Sequence, residues 1–165
     1  MKEAIGLTVI IAAALAQTSI MPAFSIVGAH PNVVVVLLVV WTSIRGRRET
    51  LLLIPVAGFA LGLLDSQPLG LAMLALAPLI LMADLRELRL VESELFLAIV
   101  LTVLATLAYE STSLVTLAVT GERIGLLATV LEVLVPATIA NVLFLLPIYA
   151  IVRLASPDLR RQPVF

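Results

Sequence analysis

The chain has 165 residues, 62% of them hydrophobic and only 13% charged, with a net charge of −1 and a mean hydropathy of +1.20. A soluble domain of this size needs far more polar surface, so a water-soluble globular protein is excluded. There is no cysteine, which removes disulfide frameworks, thiol catalysis and cysteine metal sites. The arginines form no nucleic-acid footprint, being spread in short runs between apolar blocks.

Six apolar blocks are predicted as helices of one all-α domain. The first runs from about Ala4 to Met21 and stops at Pro22. The second, Asn32 to Ile44, is almost pure Val/Leu and is closed by Arg45-Gly46-Arg47-Arg48-Glu49. It is β-branched enough to read as a buried strand in water, but an open strand in lipid leaves its backbone unpaired, so helix is expected. The third covers Leu51 to Leu64 and ends at Asp65-Ser66-Gln67-Pro68. The fourth spans Leu69 to Met82 and meets the charged stretch Asp84 to Arg89. The fifth extends from about Glu94 to Thr120. The sixth, from about Leu126 to Leu154, contains Pro136 and Pro147, which are expected to kink it. A polar tail, Ser156 to Phe165, follows.

Crossing the hydrocarbon takes about 20 helical residues. Blocks two, three and four have only 13 to 14 each, roughly 20 Å of helix, and need their polar flanks or a thinned bilayer to span it. With the N-terminus inside, nine of the ten Lys/Arg residues fall in the cytoplasm and only Arg123 outside. Because positive side chains resist translocation, this predicts a polytopic protein with both termini cytoplasmic. Lys2, an apolar run and Ala14-Leu15-Ala16 also resemble a cleavable secretory signal. The apolar run continues to Met21, which suits a retained helix better.

Ionisable groups within a membrane are costly and mark candidate sites. Block five carries Glu110 at the edge of a polar stripe formed by Thr102, Thr106, Tyr109, Ser113, Thr116 and Thr120. At helical spacing these lie within about 40° of one direction, facing other helices or a cavity. The stripe reads either as packing glue, its hydroxyls bonding across helices, or as a groove for a partner. Glu110 also fits an interfacial carboxylate where the helix emerges. Glu132 sits near the outer part of block six, where Thr138 and Asn141 share a face. Gly58 and Gly62 form G-x-x-x-G with Asp65 on the same side, the small residues allowing a second helix to approach closely. Asp65-Ser66-Gln67-Pro68 equally fits a helix end and turn. His30 has no second histidine or cysteine and reads as a loop residue. No nucleophile–base set, phosphate loop or close carboxylate pair stands out, so no catalysis, cofactor or metal is expected.

Trp41-Thr-Ser-Ile-Arg45-Gly46-Arg-Arg48-Glu49, Gly58-x-x-x-Gly62-x-x-Asp65 running into Pro68-Leu69-Gly70, and His30-Pro31-Asn32 together resemble the MreD family of rod shape-determining membrane proteins. The likeness is good over Pro31 to Gly70 and elsewhere general, in length and hydropathy. Asn32 stands where an acidic residue is more usual in the family. The resemblance implies a six-helix transmembrane bundle similar to the substrate-binding subunits of energy-coupling-factor transporters. It also implies a non-enzymatic scaffold role in bacterial cell-wall elongation at the inner membrane. The implied partners are an MreC-like single-span protein and, through it, MreB filaments, with a RodA-type glycosyltransferase and a penicillin-binding transpeptidase in the wider complex. Gly58, Gly62, Asp65, Thr102, Thr106, Tyr109, Glu110 and Ser113 are the expected partner-binding residues. A second reading is a vitamin transporter's substrate-binding subunit, for which Ala12-x-x-x-Ala16 resembles a small-residue docking face. Few aromatic residues are on hand to wall such a ligand. A third, a lipid-modifying membrane enzyme, lacks the carboxylate or histidine cluster it needs.

Overall fold

Each apolar block forms helix. A computed structural model describes residues 2–24, 28–45, 47–64, 70–82, 93–119 and 130–155. The helices are α1 (Lys2–Ser19), α2 (Val33–Arg45), α3 (Arg47–Leu64), α4 (Leu71–Leu76), α5 (Pro78–Met82), α6 (Glu94–Val119) and α7 (Val135–Leu154). A single 3-10 turn, Met21–Ala23, follows α1, and a π-helical turn, Val130–Leu134, leads into α7. Asp65, Thr120, the Asp84–Arg89 cluster, Arg123 and the polar tail lie outside the described residues.

Two boundaries differ from the sequence reading. α3 starts at Arg47 rather than Leu51, so the cationic cluster expected as a loop winds into the helix. Arg and Glu are good helix formers, and Glu49 in the first turn favours the positive end of the helix dipole. The fourth block, expected as one helix, divides at Ala77 into α4 and α5. Pro78 has no N–H to offer the Leu74 carbonyl, and the Ala77 N–H takes that carbonyl at 3.2 Å in a tighter turn. Pro78 then opens α5, at a position where a missing donor costs nothing. Gly70, at φ +96°, supplies the left-handed residue just before α4. In α7, Pro136 occupies the first turn directly after the π-helical turn, and the helix continues through Pro147.

α2 is the central post. It packs against α1, α3, α6 and α7, while α4 packs on both α3 and α6. Every residue from Val34 to Ile44 is buried, which explains an apolar block with no polar face at all. Around it small residues alternate with large ones, Ala57, Ala98, Ala105, Ala137 and Ala140 being buried along with Leu53, Leu101 and Leu145. In lipid, where burial of apolar surface gives no net drive between helices, close packing of this kind supplies much of the attraction. The outer surface is apolar instead, with Leu63, Leu74, Leu81, Leu131 and Ile151 each at least 60% exposed. Among the described residues two helices, Glu94–Thr116 and Val130–Leu154, are long and apolar enough to cross a membrane.

Gly58 makes the closest of these approaches. A Cβ built on it would lie 2.6 Å from Met73 Cγ and 2.7 Å from Met73 Cα. Gly58→Ala is therefore expected to destabilise the bundle by about 1–3 kcal/mol, the usual cost of overpacking. Thermal unfolding in detergent checks this. Adding Met73→Ala should recover only part of the loss, because the backbone of α4 still clashes.

Candidate interaction site

Four free N–H groups begin any helix, and in hydrocarbon no water is present to bind them. At the start of α2 three amide side chains take on this task. Asn32 Oδ1 accepts from the Val35 N–H at 3.1 Å, an ordinary N-cap. Gln17 of α1 accepts from the Val33 N–H at 2.7 Å. Asn141 of α7 accepts from the Asn32 N–H at 2.6 Å and donates through Nδ2 to Thr106 Oγ of α6 at 2.9 Å. Asn32, Thr106 and Asn141 are all buried, so α1, α2, α6 and α7 meet in one polar cluster. Asn32 thus acts through its neutral amide.

The opposite end of α2 is pinned to α3. Trp41 Nε1 donates to Glu49 Oε2 at 3.1 Å, and Thr42 and Thr50 share a hydrogen bond of 3.1 Å. The Arg45 guanidinium lies 5.3 Å over the Trp41 ring, in cation–π range. Tyr149 donates to Glu94 at 3.4 Å and Arg153 lies over its ring, tying the start of α6 to the end of α7. His30 Nδ1 lies 3.2 Å from the Phe24 carbonyl, as suits a loop residue.

The α6 stripe divides into two halves. Thr102 and Thr106 are fully buried, yet Thr102 bonds its own helix at the Ala98 carbonyl, whereas Thr106 accepts across from Asn141 of α7. Thr112 and Thr116 likewise bond back to carbonyls four residues earlier. Tyr109 and Glu110 are half-buried. Ser113 is buried, and its Oγ has no hydrogen-bond partner among the described residues. On α3, Gly58 and Gly62 are buried, and the Gly58 contact is taken by α4 of the same chain. Because α4 lies between α3 and α6, the glycine face and the α6 stripe stay apart. Among the described residues no group of three or more His, Cys, Asp or Glu could hold a metal.

Gln17 is the site residue hardest to see in the sequence, since one glutamine near a helix end carries no signal of its partner. Asn32 is more legible, as an Asn directly before an apolar run is an N-cap pattern.

An all-helical bundle with an apolar exterior and a buried amide cluster joining its helices has the character of a membrane protein. The chain belongs to the MreD family: residues 3–155 match the family model for rod shape-determining protein MreD. No curated protein and no solved structure shows a significant match to it.

Asn141→Leu strands the Asn32 N–H and the Thr106 hydroxyl together, and should cost about 2–6 kcal/mol of stability at roughly 1–3 kcal/mol per stranded group. Thr106→Val should cost less, because it leaves the bond to α2 intact. A double-mutant cycle of Asn141→Ala with Thr106→Val should give a coupling of about 0.6–1.7 kcal/mol, the range for hydrogen bonds between membrane helices.

Proposed function

We propose that this MreD-family chain is a non-catalytic scaffold of the cell-wall elongation complex, multi-pass in the bacterial inner membrane. It binds the transmembrane segment of an MreC-like partner and, through that partner, associates with the RodA-type glycosyltransferase and penicillin-binding transpeptidase. The six apolar segments cross the bilayer with both termini cytoplasmic, in the manner of the transporter subunits it resembles, an arrangement supported by the loop charges. The observation that carries the scaffold reading is the split along α6. Thr102 and Thr106 are used up inside the chain, whereas Ser113 keeps a buried hydroxyl with no partner among the described residues, one turn beyond Glu110. A polar group so placed supplies register to an incoming helix. Tyr109 completes this half of the face. Gly62 and Asp65 provide a second contact, with Gly58 holding α4 in place beside it.

Ser113→Leu combined with Glu110→Ala is expected to reduce co-purification with the MreC-like partner by about fivefold or more, equivalent to about 1–2 kcal/mol of interhelical contact. The protein should still insert. Gly62→Leu should weaken recovery too, and unchanged recovery with both variants would count against these faces. For topology, a fluorescent reporter fused after Phe165 should fluoresce, and an alkaline phosphatase fused there should be inactive. The opposite pattern would reject cytoplasmic termini.

A further inference from the structure

A cleft of about 310 Å³ lies between α1, α2 and α3, at the end of the bundle that carries Arg45 and Arg48. Gly6, Trp41, Glu49, Leu52, Leu53 and Val56 line it. Gly6 forms one wall because a Cβ there would come within 3.1 Å of the Trp41 ring and 3.3 Å of Leu53. Leu52, at the rim, is 54% exposed, and Pro55 and Phe59 continue the same exposed face of α3. The cleft therefore opens sideways onto the apolar exterior, at the low end of the roughly 300–1,000 Å³ range of ligand pockets. Such a shape admits part of an acyl chain.

The polar end of the cleft carries a negative charge, with two arginines next to its lining and not within it. Glu49 is the charged residue in the lining, and the Trp41 indole donates to one of its oxygens. A carboxylate has acceptor capacity for several donors, so it can take more. Arg45 is stacked on the same indole, and Arg48, next to Glu49 in the first turn of α3, is exposed. A purely anionic headgroup would meet the Glu49 charge, and a choline headgroup has no N–H to donate to it. A primary ammonium joined to a phosphate answers both groups.

We propose that this cleft binds a phospholipid with a phosphoethanolamine headgroup. Its ammonium pairs with Glu49, its phosphate is held by Arg45 and Arg48, and its acyl chain lies along Leu52, Leu53 and Val56. In the orientation proposed above this is a lipid of the cytoplasmic leaflet, but binding depends on neither that orientation nor the MreC-like partner.

The test is native mass spectrometry of the full chain released from nanodiscs of equimolar phosphatidylethanolamine, phosphatidylglycerol and phosphatidylcholine. The wild type should retain phosphatidylethanolamine in preference to the other two. Glu49→Gln keeps an acceptor for Trp41 while removing the charge, and should lower that retention by about tenfold, as expected for loss of a charge-assisted hydrogen bond. Arg48→Gln should lower it as well. Leu52→Trp, which fills the rim, should reduce all three lipids, and Leu74→Trp on the exposed face of α4 should change nothing. Preferential retention of phosphatidylglycerol, full retention by Glu49→Gln, or no retained lipid on the wild type would overturn the proposal. Should Glu49→Gln fail to fold, wild-type retention by both Arg48→Gln and Leu52→Trp would overturn it equally.

Discussion

The bundle depends on satisfying the N-terminus of a buried helix. α2 is buried along nearly its whole length, so its first N–H groups need acceptors from the protein. Those acceptors are the amide oxygens of Gln17, Asn32 and Asn141, which belong to three different parts of the chain. An amide is well suited to this place: it accepts without a charge to desolvate and still has an N–H₂ to pass on, as Asn141 does to Thr106. Bonds of 2.6 and 2.7 Å at two of these contacts fix where α1 and α7 stand along α2. At the other end, Trp41–Glu49 and Thr42–Thr50 set the register of α3. The central helix is thus tied at both ends by directional bonds, and small and large apolar residues fill the space between.

Much of this order is written locally in the sequence. Each apolar block becomes helix because its length and composition leave the backbone no other way to pair in lipid. The Val/Leu run of α2 is the instructive case. Its β-branched composition argues for a strand, and its missing polar face is the mark of a helix enclosed on all sides. The break at Pro78 follows from a local rule about a missing donor. The Asn32–Asn141 bond was illegible, since it joins residues 109 apart and no local pattern names either as the other's partner. The α6 stripe was half legible. Helical spacing put Thr102 and Thr106 on an inward face, but a threonine can bond its own helix four residues back, and sequence alone does not distinguish that from a bond across.

Small residues on a membrane helix are ambiguous for the same reason. G-x-x-x-G permits close approach without saying whose helix approaches. At Gly58 the neighbour is α4 of the same chain, at a distance that no other residue allows. The glycine is spent on folding, and only what lies beside it is left for a second protein. The same test applies to polar groups. A hydroxyl bonded to the preceding turn has little left to give, whereas a buried Ser113 Oγ without a partner among the described residues leaves a cost that a neighbouring donor or acceptor would remove.

Helix length adds a last constraint. α2, with 13 residues, spans about 20 Å, well short of a hydrocarbon core of about 30 Å, yet the deficit is harmless because α2 does not touch lipid. α4 and α5 have no such shelter. Leu74 and Leu81 on these two helices face outward. Length is thus unimportant where a helix is enclosed and matters for those such as α6, with 26 residues or about 39 Å, whose Leu104, Leu107 and Val115 face outward.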